Sequence, residues 1–141
     1  LTKKKYDIIT LFDVIEHVPS PISLLKQLKS KLNYNGIILI YTPNKNSLGF
    51  DFLKHSNNLL CPPNHLFYFN KKSFDFLSKK LKFKILETQY RGLDIGDIFA
   101  YLREKKEKRI AEFLSKYATK FQNKIDTLEY SNHMRFVLKK L

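Results

Sequence analysis

The sequence predicts an α/β fold, and three observations carry that prediction. Two short apolar runs rich in β-branched residues, residues 6–12 and 37–42, read as buried strands. The segment between them repeats apolar residues at helical spacing. Proline and glycine punctuate the boundaries between these pieces.

Taken in order, Tyr6-Asp7-Ile8-Ile9-Thr10-Leu11-Phe12 is apolar on both faces, as a parallel strand covered on both sides would be. Pro19-Ser20-Pro21 stops it. Ser20 suits an N-cap, with Pro21 in the first helical position. Ile22, Leu25, Leu28 and Leu32 then form one stripe, so an amphipathic helix is expected over residues 21–32. Asn33-Tyr34-Asn35-Gly36 ends it, with Gly36 expected to take a positive φ. Ile37-Ile38-Leu39-Ile40-Tyr41-Thr42 is the next strand, which makes a right-handed βαβ unit. A long connector over residues 45–63 follows, with a short helix expected near residues 48–53. Asn70 can cap a second helix that turns Phe74, Leu77 and Leu81 inward. Residues 83–89 read as a third strand, and Gly92 and Gly96 as a turn. Residues 97–124 are helical and charged, with Ile98, Tyr101, Leu102, Ile110, Phe113, Leu114, Tyr117 and Phe121 at apolar positions. The charged stretch 103–109 is where that segment would divide in two. Residues 134–138 form the last strand.

Composition narrows the function. At 43% hydrophobic and 14% aromatic, the 141 residues can build a packed core. No apolar run approaches the roughly 20 residues that cross a bilayer, and no signal peptide is visible. Cys61 is the one cysteine, which excludes an intramolecular disulfide and points to a reducing cytoplasm. The formal charge is +13, from 26 Lys+Arg against 13 Asp+Glu. Most of that charge is lysine spread along the whole chain, which reads as solvated faces. A nucleic-acid-binding module stays open as an alternative.

Specific residues then carry a resemblance. Tyr6-Asp7-Ile8-Ile9, followed by Asp13-Val14-Ile15-Glu16-His17-Val18-Pro19-Ser20-Pro21, resembles the fourth-strand motif of class I S-adenosylmethionine-dependent methyltransferases. The nearest subgroups are the ubiquinone-biosynthesis O-methyltransferase-like and type 11 and 23 enzymes. Ser20 stands where Asp is usual. The lead Leu32-Asn33-Tyr34-Asn35-Gly36-Ile37, the strand end Tyr41-Thr42-Pro43-Asn44, and the block from His65-Leu66-Phe67-Tyr68-Phe69 through Ser73 to Phe83 resemble the family in the same order. Lys82 replaces its usual glycine, which implies a slightly different turn there. The likeness spans about residues 6–89. Residues 94–130 correspond to a variable helical insertion before the last strand.

The resemblance implies the C-terminal half of a Rossmann-like methyltransferase sheet, strands 4 to 7 with flanking helices. The strand at residues 6–12 would then be a sheet edge. The family's glycine-rich loop has no counterpart, since only four glycines occur and none in Gly-x-Gly. An isolated chain inactive by itself is therefore a second possibility. The resemblance further implies S-adenosyl-L-methionine as cofactor and a small-molecule methyl acceptor as partner. Leu11, Phe12 and Asp13 would line the cofactor's methionine side, and Asp13 could equally cap a helix. His17 is a candidate base, or a loop hydrogen-bonder. Asn44, His65 and Tyr68 would shape the acceptor pocket, or pack at the core edge. Asp13, Glu16 and His17 resemble an acidic-x-x-Glu-His site that could hold a hard divalent cation such as Mg²⁺.

Overall fold

The structure is a computed structural model that describes residues 4–141. The first two apolar runs form neighbouring parallel strands, β1 (Tyr6–Phe12) and β2 (Leu32–Pro43), joined by helix α1 (Pro21–Lys31). The Ser20 side chain accepts from the Ser23 backbone N–H, and Pro21 opens the helix where its missing N–H is harmless. Leu32 does not end the helix as expected but begins β2. The positive φ expected at Gly36 falls on Asn35, at 64°, a residue whose short polar side chain tolerates the left-handed region. Gly36 serves packing instead. A Cβ there would sit 3.1 Å from the Leu32 side chain, which is buried in the core.

The rest of the chain completes a four-stranded sheet of order β1-β2-β4-β3. Strand β3 (Phe83–Tyr90) is an edge, and the last strand, β4 (His133–Lys140), runs antiparallel between it and β2. Helix α3 (Lys71–Leu81) precedes β3 and is held by a capping box between Asn70 and Ser73. It ends at Lys82, which takes the left-handed conformation itself, φ 54°, where the resemblance has glycine. The Lys29 ammonium donates to the carbonyls of Leu81 and Lys82, closing that helix end from α1.

One face of the sheet is covered and the other is open. Ile38, Ile40, Met134, Phe136 and Leu138 pack with Leu25 of α1 and Phe74, Leu77 and Leu81 of α3. Phe74 stacks on Phe136 at 4.1 Å between ring centroids. Burying a phenylalanine this fully stabilises by about 2–3 kcal/mol. The alternate residues Leu39, Tyr41, Arg135 and Val137, with Phe12 and Gln89, line a groove of about 580 Å³ on the opposite face. Burial of β1 on both faces is therefore not found. Tyr6, Ile8 and Phe12 are exposed: Ile8 and Phe12 pair with Ile37 and Tyr41 on the uncovered face, while Ile9 and Leu11 turn to the core.

A second apolar cluster joins helices α2 (Leu48–Leu53), α4 (Asp94–Glu104) and α5 (Lys108–Thr127) through Leu53, Ile98, Leu102 and Ala111. The division between α4 and α5 lies at residues 105–107, inside the charged stretch. Gly96 lies within α4 and not in a turn. Gly92 is fixed by space, since a Cβ there would come 2.2 Å from Asn132 Oδ1. No helix among the described residues is long and apolar enough to cross a membrane.

Candidate functional site

Parallel β1 and β2 end on the same side of the sheet, and antiparallel β4 begins there. This brings Asp13, Thr42, Asn44 and His133 to one end, the place where α/β sheets bind ligands. Asp13 continues β1 by donating its backbone N–H to Tyr41 O at 3.0 Å, then turns away with φ 51°. It caps no helix, since Ser20 caps α1. The turn closes when His17 N–H donates to Val14 O at 3.0 Å. That geometry sends Ile15 and Glu16 inward, at 0% and 1% exposure.

Glu16 is the centre of the site. Its Oε2 accepts the Thr42 hydroxyl at 3.0 Å, while Oε1 is buried with no hydrogen-bond partner among the described residues. Burial pushes the carboxyl above its usual range, opposed in part by its own backbone N–H and then by the Thr42 bond. An unpartnered buried carboxylate oxygen is costly, so such a group marks strain or use. The Glu16 backbone carbonyl also accepts from the N–H groups of Leu66 and Phe67, at 2.9 and 3.1 Å. Those two bonds pin the connector before α3 against the β1 turn and deliver His65.

Two imidazoles face this carboxylate. His17 Nδ1 donates to Asn64 O at 2.7 Å, and His65 Nδ1 donates to Leu59 O at 2.8 Å. Carbonyl oxygens only accept, so the proton of each neutral ring sits on Nδ1 and each Nε2 keeps its lone pair. His17 Nε2 lies 4.0 Å from Glu16 Oε1, and the two rings meet edge to face at 4.7 Å. Glu16, His17 and His65 each present a ligand atom within 4.8 Å of the others. The backbone carbonyls behind both rings are the outer partners that metal-ligating histidines usually have. Asp13, grouped with Glu16 and His17 on sequence grounds, lies instead beside His133.

The other expected residues fall into three kinds of place. Leu11 points into the core, and Phe12 is exposed at the mouth of the open groove. Asn44 is buried and tied up structurally, donating to Ser131 O at 3.0 Å and accepting from Asn46 N–H at 3.1 Å. Tyr68 packs edge-on near His65, 6.0 Å between ring centroids, and Phe50, and its hydroxyl is buried near the Cys61 backbone without a hydrogen bond of good geometry. Burial pushes that hydroxyl's pKa up.

His133 is the residue that sequence reasoning missed. It stacks flat on Tyr41 at 4.6 Å, and its Nε2 lies 3.7 Å from Asp13 Oδ1. Burial lowers its pKa, against the pull of Asp13. No local spacing links it to Asp13, and only the strand order reveals the pair.

Residues 2–88 match a family described as a methyltransferase domain. A ubiquinone biosynthesis O-methyltransferase of Glaesserella parasuis is 38% identical over 47 residues, 33% of this chain and 20% of that protein. A SAM-dependent methyltransferase from Archaeoglobus fulgidus superposes with a TM-score of 0.56 at 20% identity, covering 97% of this chain and 60% of that one. The phosphoethanolamine N-methyltransferase 2 of Haemonchus contortus, solved with S-adenosyl-L-methionine, gives a TM-score of 0.52 at 19% identity, covering 96% of this chain and 33% of that one. The chain thus spans about a fifth of the curated relative and 60% or less of these two structures. The structural matches establish the shared Rossmann-like methyltransferase fold.

Proposed function

The chain belongs to the methyltransferase-domain family, and on that premise we propose that the protein carrying it moves a methyl group from S-adenosyl-L-methionine to an oxygen, nitrogen or carbon of a small molecule. The observation that carries this reading is the buried, half-satisfied Glu16 beside two imidazoles, at the strand ends and within the matched residues. When bound, the cofactor supplies a methyl group on a positively charged sulfur.

The residues divide between two sides. Leu11, Phe12 and Asp13 lie on the cofactor side. The Leu11 side chain is in the core, so its contribution there is backbone. The exposed Asp13 carboxylate complements the sulfonium charge. His17, His65 and Tyr68 lie on the acceptor side, and Asn44 shapes it by holding residues 129–131 in place. His17 Nε2 takes the acceptor's proton, and the nearby Glu16 carboxylate stabilises the imidazolium that forms. Most of the acceleration comes from holding acceptor and methyl donor in line.

A second reading of the same cluster is a divalent cation held by Glu16, His17 and His65. The orphan Oε1 and the two bare Nε2 atoms fit one, and it would polarise the acceptor. Two imidazoles with one carboxylate suit Mn²⁺ or Zn²⁺ better than Mg²⁺. Titration with Mn²⁺, read by water-proton relaxation, tests it. Enhancement that Glu16→Gln abolishes supports the site, and no enhancement excludes it.

The chain has no glycine-rich loop, so the isolated 141 residues are proposed to be inactive alone. The lone free Cys61 fits a cytoplasmic location. Isothermal titration of the full protein with S-adenosylhomocysteine is the test of the main reading. Saturable binding is expected, and its absence would refute it.

A further inference from the structure

The helical pair outside the site carries a feature that methyl transfer does not use. On α5, Ile110, Phe113, Tyr117 and Phe121 recur at three- and four-residue spacing, so they share one face. That face looks outward: Ile110, Phe113 and Tyr117 are 51%, 56% and 39% exposed. The rings pack on one another, Phe113 to Tyr117 at 5.2 Å and Tyr117 to Phe121 at 6.1 Å, into a continuous stripe. The helix meanwhile buries Ala111 in the cluster of Ile98 and Leu102 of α4, so its orientation is fixed.

Helical geometry places Arg109, Lys116, Lys120 and Lys124 in a row along one flank of the stripe. All four are exposed, and among the described residues none forms an ion pair. Lys116 lies over the Tyr117 ring at 5.7 Å. Of the helix's two acids, Glu112 interrupts that row between Arg109 and Lys116, and Asp126 falls on the far side of the helix.

We propose that α5 docks this protein on an anionic phospholipid surface, lying in the interface plane with the aromatic stripe inserted and the basic row on the headgroups. An amphipathic helix with aromatics on one side and Lys/Arg beside them has the chemistry of such a surface. Lysine stems reach outward while their ammonium groups stay in water. Tyrosine suits the boundary, with an apolar ring and a polar tip. The whole chain's +13 charge adds long-range attraction. Nucleic acid would satisfy the basic row alone, because the rings already pack against each other and Ile110 offers no stacking face.

The test is sedimentation of the folded protein with vesicles of phosphatidylcholine alone, or of phosphatidylcholine and phosphatidylglycerol in equal parts. Binding to the mixed vesicles, weak binding to neutral ones and release by salt are expected. Each lysine at the surface contributes about fivefold. Lys116→Gln/Lys120→Gln/Lys124→Gln should therefore lower partitioning on the order of a hundredfold. Phe113→Ser/Tyr117→Ser should lower it at least about tenfold while the helical circular dichroism is kept, since both side chains are exposed. Three results would each overturn the proposal. One is no binding to the anionic vesicles. Another is vesicle binding indifferent to the aromatic pair, which means plain charge adsorption. The third is capture by duplex DNA in place of the vesicles, unaffected by Phe113→Ser/Tyr117→Ser.

Discussion

Two buried carboxylates, Glu16 and Asp94, are both almost wholly shielded from water and have opposite surroundings. Asp94 is saturated. Its Oδ1 accepts from Gly49 N–H at 3.0 Å, and its Oδ2 from Asn132 N–H at 2.8 Å and the Gln122 amide at 3.3 Å. It ties α2, α5 and the start of β4 to α4. Glu16 has one good bond and one orphan oxygen, turned toward two imidazoles. A buried charge that is fully paired holds structure together, and one left half-paired stores potential for a ligand. The difference separates a scaffold carboxylate from the one at the proposed site.

The largest effect should come from breaking the saturated member. Asp94→Ala leaves the N–H groups of Gly49 and Asn132 buried and unpaired, so denaturant unfolding should show a loss of about 3 kcal/mol or more. Gly92→Ala attacks the same junction sterically, with its Cβ 2.2 Å from Asn132 Oδ1 and 2.9 Å from Asp94 Oδ2. The expected loss is about 2 kcal/mol, read as a lower denaturation midpoint.

Titration sharpens the contrast. The folded state holds the Glu16 proton more tightly than the ordinary 4.5. The stability that this proton contributes is complete below 4.5 and is lost as pH rises through the raised folded value. Glu16→Gln keeps the neutral form and should flatten that part of the stability–pH curve. His133 runs the other way, because burial holds its folded pKa below 6.5. Its contribution is complete above 6.5 and is lost as pH falls through the lowered folded value. His133→Asn should reduce that acid-side loss.

The smallest stability effect should be that of Glu16→Gln at neutral pH, within about 1 kcal/mol of the parent, since the Thr42 hydroxyl keeps an acceptor. A loss as large as that of Asp94→Ala would place Glu16 in the scaffold and erase the distinction.

The sequence made local features legible because their causes are local. The Ser20 and Asn70 caps, the inward Phe74, Leu77 and Leu81, and the short α2 all follow from neighbours a few residues apart. The antiparallel insertion of β4 did not follow, because strand order depends on contacts far along the chain. His65 reaches Glu16 through two backbone bonds to a carbonyl, and no side-chain pattern encodes those. His133 meets Asp13 through sheet order alone. The apolar positions on α5 are legible in the sequence, yet periodicity cannot tell a face buried on α4 from one turned to solvent. Lys82 shows the reverse case: its side chain leads one to expect a different turn, yet the left-handed geometry that suits glycine persists.

The central claim is that the β1 end serves the cofactor while Glu16 serves the acceptor. The direct measurement is calorimetric titration of S-adenosylhomocysteine into the full protein and into its Asp13→Ala and Glu16→Gln variants. The account predicts saturable binding by the parent, at least about tenfold weaker binding by Asp13→Ala, and unchanged binding by Glu16→Gln. No binding by the parent, or equal binding by Asp13→Ala, would contradict it.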